Sequence, residues 1–405
     1  MKTCQFNDSY FPIIDGVGMT AHNYASWLEK QNCNSFLIAP GVKDYVDDVN
    51  YQTLRFNSVM MPMMNPYRIG LPHIDYKFNQ KLKSLEFDIL HAHCPFVSGQ
   101  LALNLSKKLD IPLVATFHSK YKEDFKKILD SNLFVKFMIQ YVVNFYNSVD
   151  YVWVPNRSTG ETLREYGFQG DFEIIPNGTD LEIPHKHTYL LQRNRGLLKL
   201  DCTTDDFVLL FVGQHRWEKN VRMIIESLKI LKDENVKFKM VFVGEGYASK
   251  DMHRLVKQMM LKDNVIFTGP IADRTQLKQI YASADLLVFP SVYDNAPLVM
   301  IESAAYNVPA IVVKGTSAAE CVLENVNGFL IDNTKESLAA KIKDLYEHPE
   351  KIKSAGKNAE KTIYRNWESI VNNVKMKYID IIDEHNLIKS ANHYLVKDFI
   401  HSGSF

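Results

Sequence analysis

Leu286-Leu287-Val288-Phe289-Pro290-Ser291-Val292-Tyr293-Asp294-Asn295-Ala296-Pro297-Leu298-Val299-Met300-Ile301-Glu302 is the stretch on which the fold turns. An apolar run of buried-strand length ends at Phe289, and a Ser-Val-Tyr-Asp loop follows. A helix is expected from about Pro297, since the first helical position does not need the N–H that proline lacks. Free backbone N–H groups and the positive end of the helix dipole would then converge on one point, a ready site for phosphate. Asp294 and Glu302 are eight residues apart. That spacing puts one carboxylate at the helix mouth and the other about a turn and a half inside, where the pair can hydrogen-bond sugar hydroxyls. The plainer alternative is a capping acid and a buried, satisfied glutamate.

Outward from this segment the same rhythm repeats. Strands are expected at Ser35–Ala39, Ile89–His91, Leu113–His118, Tyr151–Val154 and Glu173–Ile175, interleaved with helices at Met19–Lys30, Gln100–Leu109, Leu133–Tyr146 and Ser158–Tyr166. A second series holds strands at Phe207–Val212, Lys239–Val243, Val265–Thr268, Leu286–Phe289 and Ala310–Val313, with helices at Val221–Lys232, Lys250–Met260, Thr275–Ala282 and Pro297–Tyr306. From Thr334 onward the pattern is helical. Two βα series in 405 residues predict an α/β chain of two doubly wound, Rossmann-like domains, 1–180 and 181–370. The break falls in the polar stretch Gly178–Lys199, and a C-terminal helix of about 371–405 packs back on the first domain. Ligands of such sheets sit beyond the carboxyl ends of the strands.

Bulk properties narrow the function. With 47 basic and 47 acidic side chains the net charge is zero, so global charge gives no argument for nucleic acid. The five scattered cysteines form no C-x-x-C pair, which favours reduced thiols and a cytoplasmic setting. The first residues lack an apolar signal core, and Leu133–Tyr146, broken by Lys136, Gln140 and Asn144, cannot span a bilayer.

Further motifs follow strand ends. Gly213-Gln214-His215-Arg216-Trp217-Glu218-Lys219-Asn220 combines a glycine turn with Lys219 and Arg216 as cations for a diphosphate, or is a solvated charged turn. Asp15-Gly16-Val17-Gly18 precedes a helix and is a weak signal alone. His91, His93 and His118 lie at strand ends, where they are either core histidines or a zinc constellation short of ligands at motif spacing.

Taken together these segments resemble retaining glycosyltransferase family 4. Asp294 to Glu302 is similar to its E-x7-E signature, with aspartate replacing the first glutamate, and Tyr281–Ser291, Glu320 and Asn327–Leu330 match around it. The Gly213 segment resembles the G-R-x-x-x-E-K-G element, with Gln214 at the arginine position. Thr116-Phe117-His118 resembles T-x-H, and Pro176-Asn177-Gly178-Thr179-Asp180 the hinge segment P-N-G-x-D. The resemblance implies a GT-B fold, two domains facing across a cleft, and transfer with retention. It implies catalytic roles for His118, Asp294 and Lys219, with His118 giving hydrogen-bonding and electrostatic support at the anomeric centre. Donor contacts fall on Gly16, Gly18, Gly213, Gln214, Arg216, Lys219, Asn295, Pro297, Leu298, Val299 and Glu302, with Glu302 on the ribose. No cofactor, metal or dedicated base is implied; the nucleotide sugar is a substrate.

Residues 51–136 hold 12 Lys/Arg against 7 Asp/Glu. They include the Met-rich segment Val59–Tyr67, and Lys120, Lys122, Lys126 and Lys127 precede the greasy helix Leu133–Tyr146. A basic face beside apolar residues is the pattern of a protein lying on anionic lipid, and equally of a core helix beside a solvated lysine face. The segments at Tyr67–Pro72, His93–Phe96 and Thr116–Tyr121 resemble bacterial diacylglycerol glucosyltransferases. That resemblance implies a UDP-glucose-like donor, a lipid acceptor and a peripheral place on the inner face of the membrane, with His93, Arg68, Lys120 and Tyr121 on the acceptor side. A transferase for cell-surface polysaccharide or a teichoic-acid-type polymer would share this core. So would a degenerate module that binds a nucleotide sugar without turnover.

Overall fold

The structure is a computed structural model and describes residues 1–13, 15–62, 67–128 and 131–402. Two compact units are present: Met1–Asn177 together with the chain from Trp367 onward, and Gly178–Asn366.

The first unit holds β1 (Lys2–Phe6), β2 (Asn34–Pro40) and β3 (Gln52–Phe56), a two-stranded antiparallel hairpin of β4 (Ser58–Met60) and β5 (Arg68–Gly70), then β6 (Ile89–Ala92), β7 (Leu113–Thr116), β8 (Tyr151–Val154) and β9 (Glu173–Ile174). All but the hairpin pair in parallel in the order β3-β2-β1-β6-β7-β8-β9. The second unit holds β10 (Val208–Val212), β11 (Lys239–Val243), β12 (Val265–Gly269), β13 (Leu286–Val288), β14 (Ala310–Val313) and β15 (Gly328–Ile331), parallel in the order β12-β11-β10-β13-β14-β15. Segments such as Val-Leu-Leu-Phe-Val in β10 are apolar throughout because helices cover both faces of a parallel sheet. Each sheet reverses its strand order beside its first strand, between β1 and β6 and between β10 and β13. Those two switch points are where doubly wound sheets bind ligands.

Some elements depart from the expected ones. Lys2–Phe6 reads as no strand, because Thr3 and Gln5 interrupt the apolar pattern, yet β1 sits at the centre of its sheet with both polar side chains fully buried. β7 ends at Thr116, two residues before His118. The helix after β13 runs Leu298–Ala304, seven residues, and Pro297 is its extended cap rather than its first turn. The supposed boundary stretch carries a helix, Lys186–Lys199, which lies so close to the helix Arg274–Ser283 that a Cβ on Gly196 would sit 2.1 Å from the Gln279 carbonyl oxygen. Arg193 of that helix donates to the Ala282 and Ser283 carbonyls and to Asp285.

The long helix Trp367–Ser402 belongs to the first unit. Trp367 is buried edge-on to Tyr24, and buried Tyr378 stacks on Trp153 with ring centres 5.6 Å apart. Of the Met-rich segment, residues 63–66 lie outside the described residues, as does the side chain of Lys127.

Candidate active site

At the switch point of the second unit, two loops are tied together. After β10, Gly213 turns at φ +152°, and Trp217–Lys219 form a short 3-10 turn that ends on Asn220 in the left-handed conformation. Asn220 reaches across to donate to the Pro290 carbonyl at 2.9 Å. Lys219 Nζ lies 2.8 Å from Asp294 Oδ1, and the Ser291 hydroxyl donates to Asp294 Oδ2 at 2.6 Å. The expected cation and the expected acid therefore meet, both largely buried. Arg216 stacks over the Tyr293 ring at 5.3 Å and lies 3.7 Å from Glu218, while Gln214 is exposed. Gly244, at φ +125°, lies against the same loop, where a Cβ would meet the Gly213 carbonyl oxygen at 2.1 Å. The sequence reading passed over Gly244, although a glycine ending β11 marks a close backbone approach.

Glu302 is 7 % exposed and anchored twice, by the Tyr281 hydroxyl at 2.7 Å and by Arg274 at 3.0 Å. Arg274 also donates through Nε to Asp180 at 2.9 Å. Burial alone would lower the Arg274 pKa, but Glu302 and Asp180 outweigh it and raise it. The carboxylate is thus oriented by two donors, the geometry that recognition of ribose hydroxyls would require. Arg274 gave no motif signal, and Tyr281 stood only at the head of a matching segment; the fold brings both to Glu302. Asn295 is buried, and Leu298 and Val299 open the short helix behind the Pro297 cap.

At the first unit's switch point, Asp15 caps the helix Gly16–Lys30 by accepting from Gly18 N–H at 2.7 Å. Gly16 has open space beside it, while a Cβ on Gly18 would meet the Ser9 carbonyl oxygen at 2.9 Å. Asp8, just beyond β1, accepts from Ser98 N–H at 2.8 Å and from the Cys94 thiol at 2.9 Å. Burial raises its pKa against the opposing effect of those donors. Asp8 was missed for the same reason as β1.

His91, His93 and His118 form a stack with ring centres 4.2 and 5.4 Å apart. Both nitrogens of His91 are used, on Tyr378 at 2.5 Å and Thr116 at 2.7 Å, and both of His93, on Gln5 at 2.9 Å and His118 at 3.1 Å. These are internally bonded histidines rather than an array open to zinc. Of the acceptor-side candidates, Arg68 braces the hairpin by donating to Ser58, Tyr121 is buried among Phe96, Phe117 and Phe125, and Lys120 precedes the helix Tyr121–Ile128.

Burial holds all three histidines neutral, His118 down to about 3 and the other two well below their ordinary value. Above pH 6.5 the folded and unfolded chains both leave them unprotonated and the stability is fully present. As pH falls below 6.5 only the unfolded chain takes up the protons. Stability is therefore expected to fall by up to about 1.4 kcal/mol per pH unit for each histidine. Urea midpoints at pH 7.5 and 5 check this, and equal midpoints would contradict it.

Residues 14–183 match the family model "Glycosyltransferase Family 4", and residues 199–362 match "Glycosyl transferases group 1". The chain belongs to glycosyltransferase family 4. The family's GT-B architecture accounts for the two Rossmann-like units, and solved structures agree. Sucrose-phosphate synthase from Thermosynechococcus elongatus matches over 95 % of this chain and 99 % of its own, with TM-score 0.78 at 19 % identity. Anabaena HepE, solved in complex with UDP, matches over 94 % and 100 %, with TM-score 0.75 at 17 % identity. Among family relatives, an alpha-monoglucosyldiacylglycerol synthase of Streptococcus pneumoniae is 27 % identical over 72 % of this chain and 66 % of its own length. The protein of that name in Acholeplasma laidlawii is 23 % identical over 95 % of this chain and 98 % of its own. A GDP-mannose-dependent alpha-mannosyltransferase of Corynebacterium glutamicum is 25 % identical over 94 % and 89 %.

Proposed function

We propose that this glycosyltransferase moves a hexose from a UDP-glucose-like nucleotide sugar to the hydroxyl of a membrane lipid such as diacylglycerol, with retention of configuration and no metal. The observation that carries the donor half is the meeting of Lys219 with Asp294 at the second unit's switch point. An arriving diphosphate competes with Asp294 for the ammonium and takes it as its counter-charge, so no divalent ion is required of the site. The freed carboxylate then accepts hydroxyls of the transferred sugar, and Glu302 holds the ribose. The departing phosphate takes the acceptor's proton on the face where the sugar was held, which keeps the anomeric configuration.

The acceptor half rests on the helix Asn132–Tyr146. One face, with Val135, Ile139, Val142 and Tyr146, is buried in the core. The other carries Lys136, Gln140 and Asn144 and, beside them, exposes large apolar side chains: Leu133 77 %, Phe134 58 %, Phe137 67 % and Tyr141 36 %. Large apolar side chains exposed together and rimmed by polar ones mark an interaction surface, and a membrane is the neighbour that fits this one. Lys136 on the helix and Lys122 and Lys126 on the helix before it are exposed, which suits an anionic lipid surface. Among the described residues no helix is long and apolar enough to cross a membrane. The names of the two synthase relatives support the same acceptor.

The test is a donor panel with diacylglycerol in mixed micelles containing chelator, with products read by mass spectrometry and the anomer by NMR. An α-glucosyl lipid is expected. Sugar found only on a polymer, or donor hydrolysed without transfer to lipid, overturns the lipid acceptor, a donor neither transferred nor hydrolysed leaves a binding module, and dependence on added magnesium overturns the metal-free reading.

Arg274→Leu removes one anchor of Glu302 and leaves a buried carboxylate short of a charged donor, a loss of about 1.5–3 kcal/mol. Donor KM should rise about tenfold or more while kcat changes little, because ribose is held alike in the ground and transition states. Equal loss in kcat would place Glu302 nearer the reacting bond.

A further inference from the structure

We infer that Tyr141 binds the acceptor, its hydroxyl donating to an ester carbonyl of an acylglycerol whose chain lies along the rings of Phe134, Phe137 and Phe96. The inference rests on the lipid acceptor proposed above and names the part of that lipid the chain recognises.

The helix Asn132–Tyr146 carries its exposed aromatic side chains in a row. Phe134 and Tyr141 are seven residues apart, two turns, and so share a face with Phe137 between them. The Phe134 and Phe137 ring centres are 6.5 Å apart. At the other end of the row Tyr141 lies parallel to Phe96, with ring centres 6.4 Å apart and the planes 5° from each other. Phe96 caps the helix Val97–Leu109, which follows β6, one of the two strands that flank the first unit's switch point. From Phe134 to Tyr141 the row covers about 10 Å of helix. It starts on the surface and ends where a doubly wound sheet takes its ligand.

Tyr141 is the place where this track turns polar. Gln100, on the helix that Phe96 caps, donates to the Pro95 carbonyl at 3.2 Å and also bonds the Tyr141 phenol. That second bond acts to lower the phenol's pKa, so it is one in which the phenol oxygen accepts. The phenol's own hydrogen is left to give. Burial and the Asp8 carboxylate push the other way and prevail, so the hydroxyl keeps that hydrogen at neutral pH. Asp8 stands just beyond β1, the other strand at the switch point. A hydroxyl with a hydrogen to give, at the end of an apolar track, matches a carbonyl oxygen borne on a hydrocarbon chain. An acyl ester supplies both, and in a diacylglycerol the hydroxyl that would receive the sugar lies a few bonds from that carbonyl.

Two short-chain lipids separate the ester from the chain: dioctanoylglycerol and its ether analogue dioctylglycerol. The full protein is titrated calorimetrically with each, and acceptor kinetics are measured with both. Wild type should bind the ester lipid about three- to tenfold more tightly, what one neutral hydrogen bond contributes. Tyr141→Phe removes only the oxygen, and should abolish that preference while leaving affinity for the ether lipid unchanged. Phe137→Ala should weaken both lipids alike, because it meets only hydrocarbon. Equal wild-type affinity for the two lipids overturns the inference even if a variant fails to fold, and so does a preference that survives in Tyr141→Phe. If the ester preference holds and no sugar reaches any lipid, the proposed acceptor fails and the ester site stands. If wild type and Tyr141→Phe glycosylate both lipids equally well, the acceptor stands and the ester site fails. Binding of neither lipid overturns both.

Discussion

Replacing Lys219 with alanine will cut turnover by about a hundredfold or more while leaving the fold intact. Lys219 is the cation that faces Asp294, at 2.8 Å, and its side chain is only 13 % exposed. A charge in so dry a place acts with much less screening than one in water. Loss of one aligned electrostatic donor typically costs two to three orders of magnitude in rate. Arg216 does not replace it, because its guanidinium is already placed over Tyr293 and beside Glu218. Lys219→Arg should recover part of the rate, since charge survives and shape does not. Steady-state kinetics with the donor identified by the panel decides the matter. A rate within threefold of wild type in Lys219→Ala would remove the diphosphate from this loop.

Trp367→Ala should cost about 3–5 kcal/mol of stability, the range for emptying a large buried aromatic site. Trp367 is 1 % exposed, and its ring lies edge-on to Tyr24, which in turn contacts His91 and His93. The loss falls on the first unit, although the residue lies 190 positions after that unit's first segment ends at Asn177. Urea denaturation followed by the near-ultraviolet signal measures it, and a loss under 1 kcal/mol would mean that the C-terminal helix is not integral to that core.

Apolar runs at Val208–Val212, Lys239–Val243, Ala310–Val313 and Tyr151–Val154 declare themselves as parallel strands, because a strand covered on both faces has no polar side to disguise it. The helices between them show in the sequence for the complementary reason, a sustained period near 3.6. What stayed hidden was polar and central. β1 carries Thr3 and Gln5, whose partners Ser35, His93 and Tyr378 come from far along the chain, and no local pattern announces that they will be satisfied. The same blindness hid Asp8, and it hid the role of Arg274, whose two carboxylates lie 94 and 28 residues away. Asp294, Glu302 and Lys219 stood out in the sequence because they follow strand ends within segments that resemble the family's motifs; the spacing of the two carboxylates left a capping acid and a buried glutamate equally open. That Lys219 is committed to Asp294, and that Glu302 is braced by Tyr281, required the fold.

Because Trp367 and Tyr378 complete the core of the unit that begins at the first methionine, the order of synthesis and the order of folding differ. A ribosome releases Gly178–Asn366 as one uninterrupted piece whose two ends are already matched, Thr179 N–H to the Arg365 carbonyl at 2.9 Å. That piece can finish while the earlier residues wait with Tyr24 and the histidines uncovered. A released chain that ends at Asn366 should therefore leave the amino-terminal portion open to protease and the middle portion resistant.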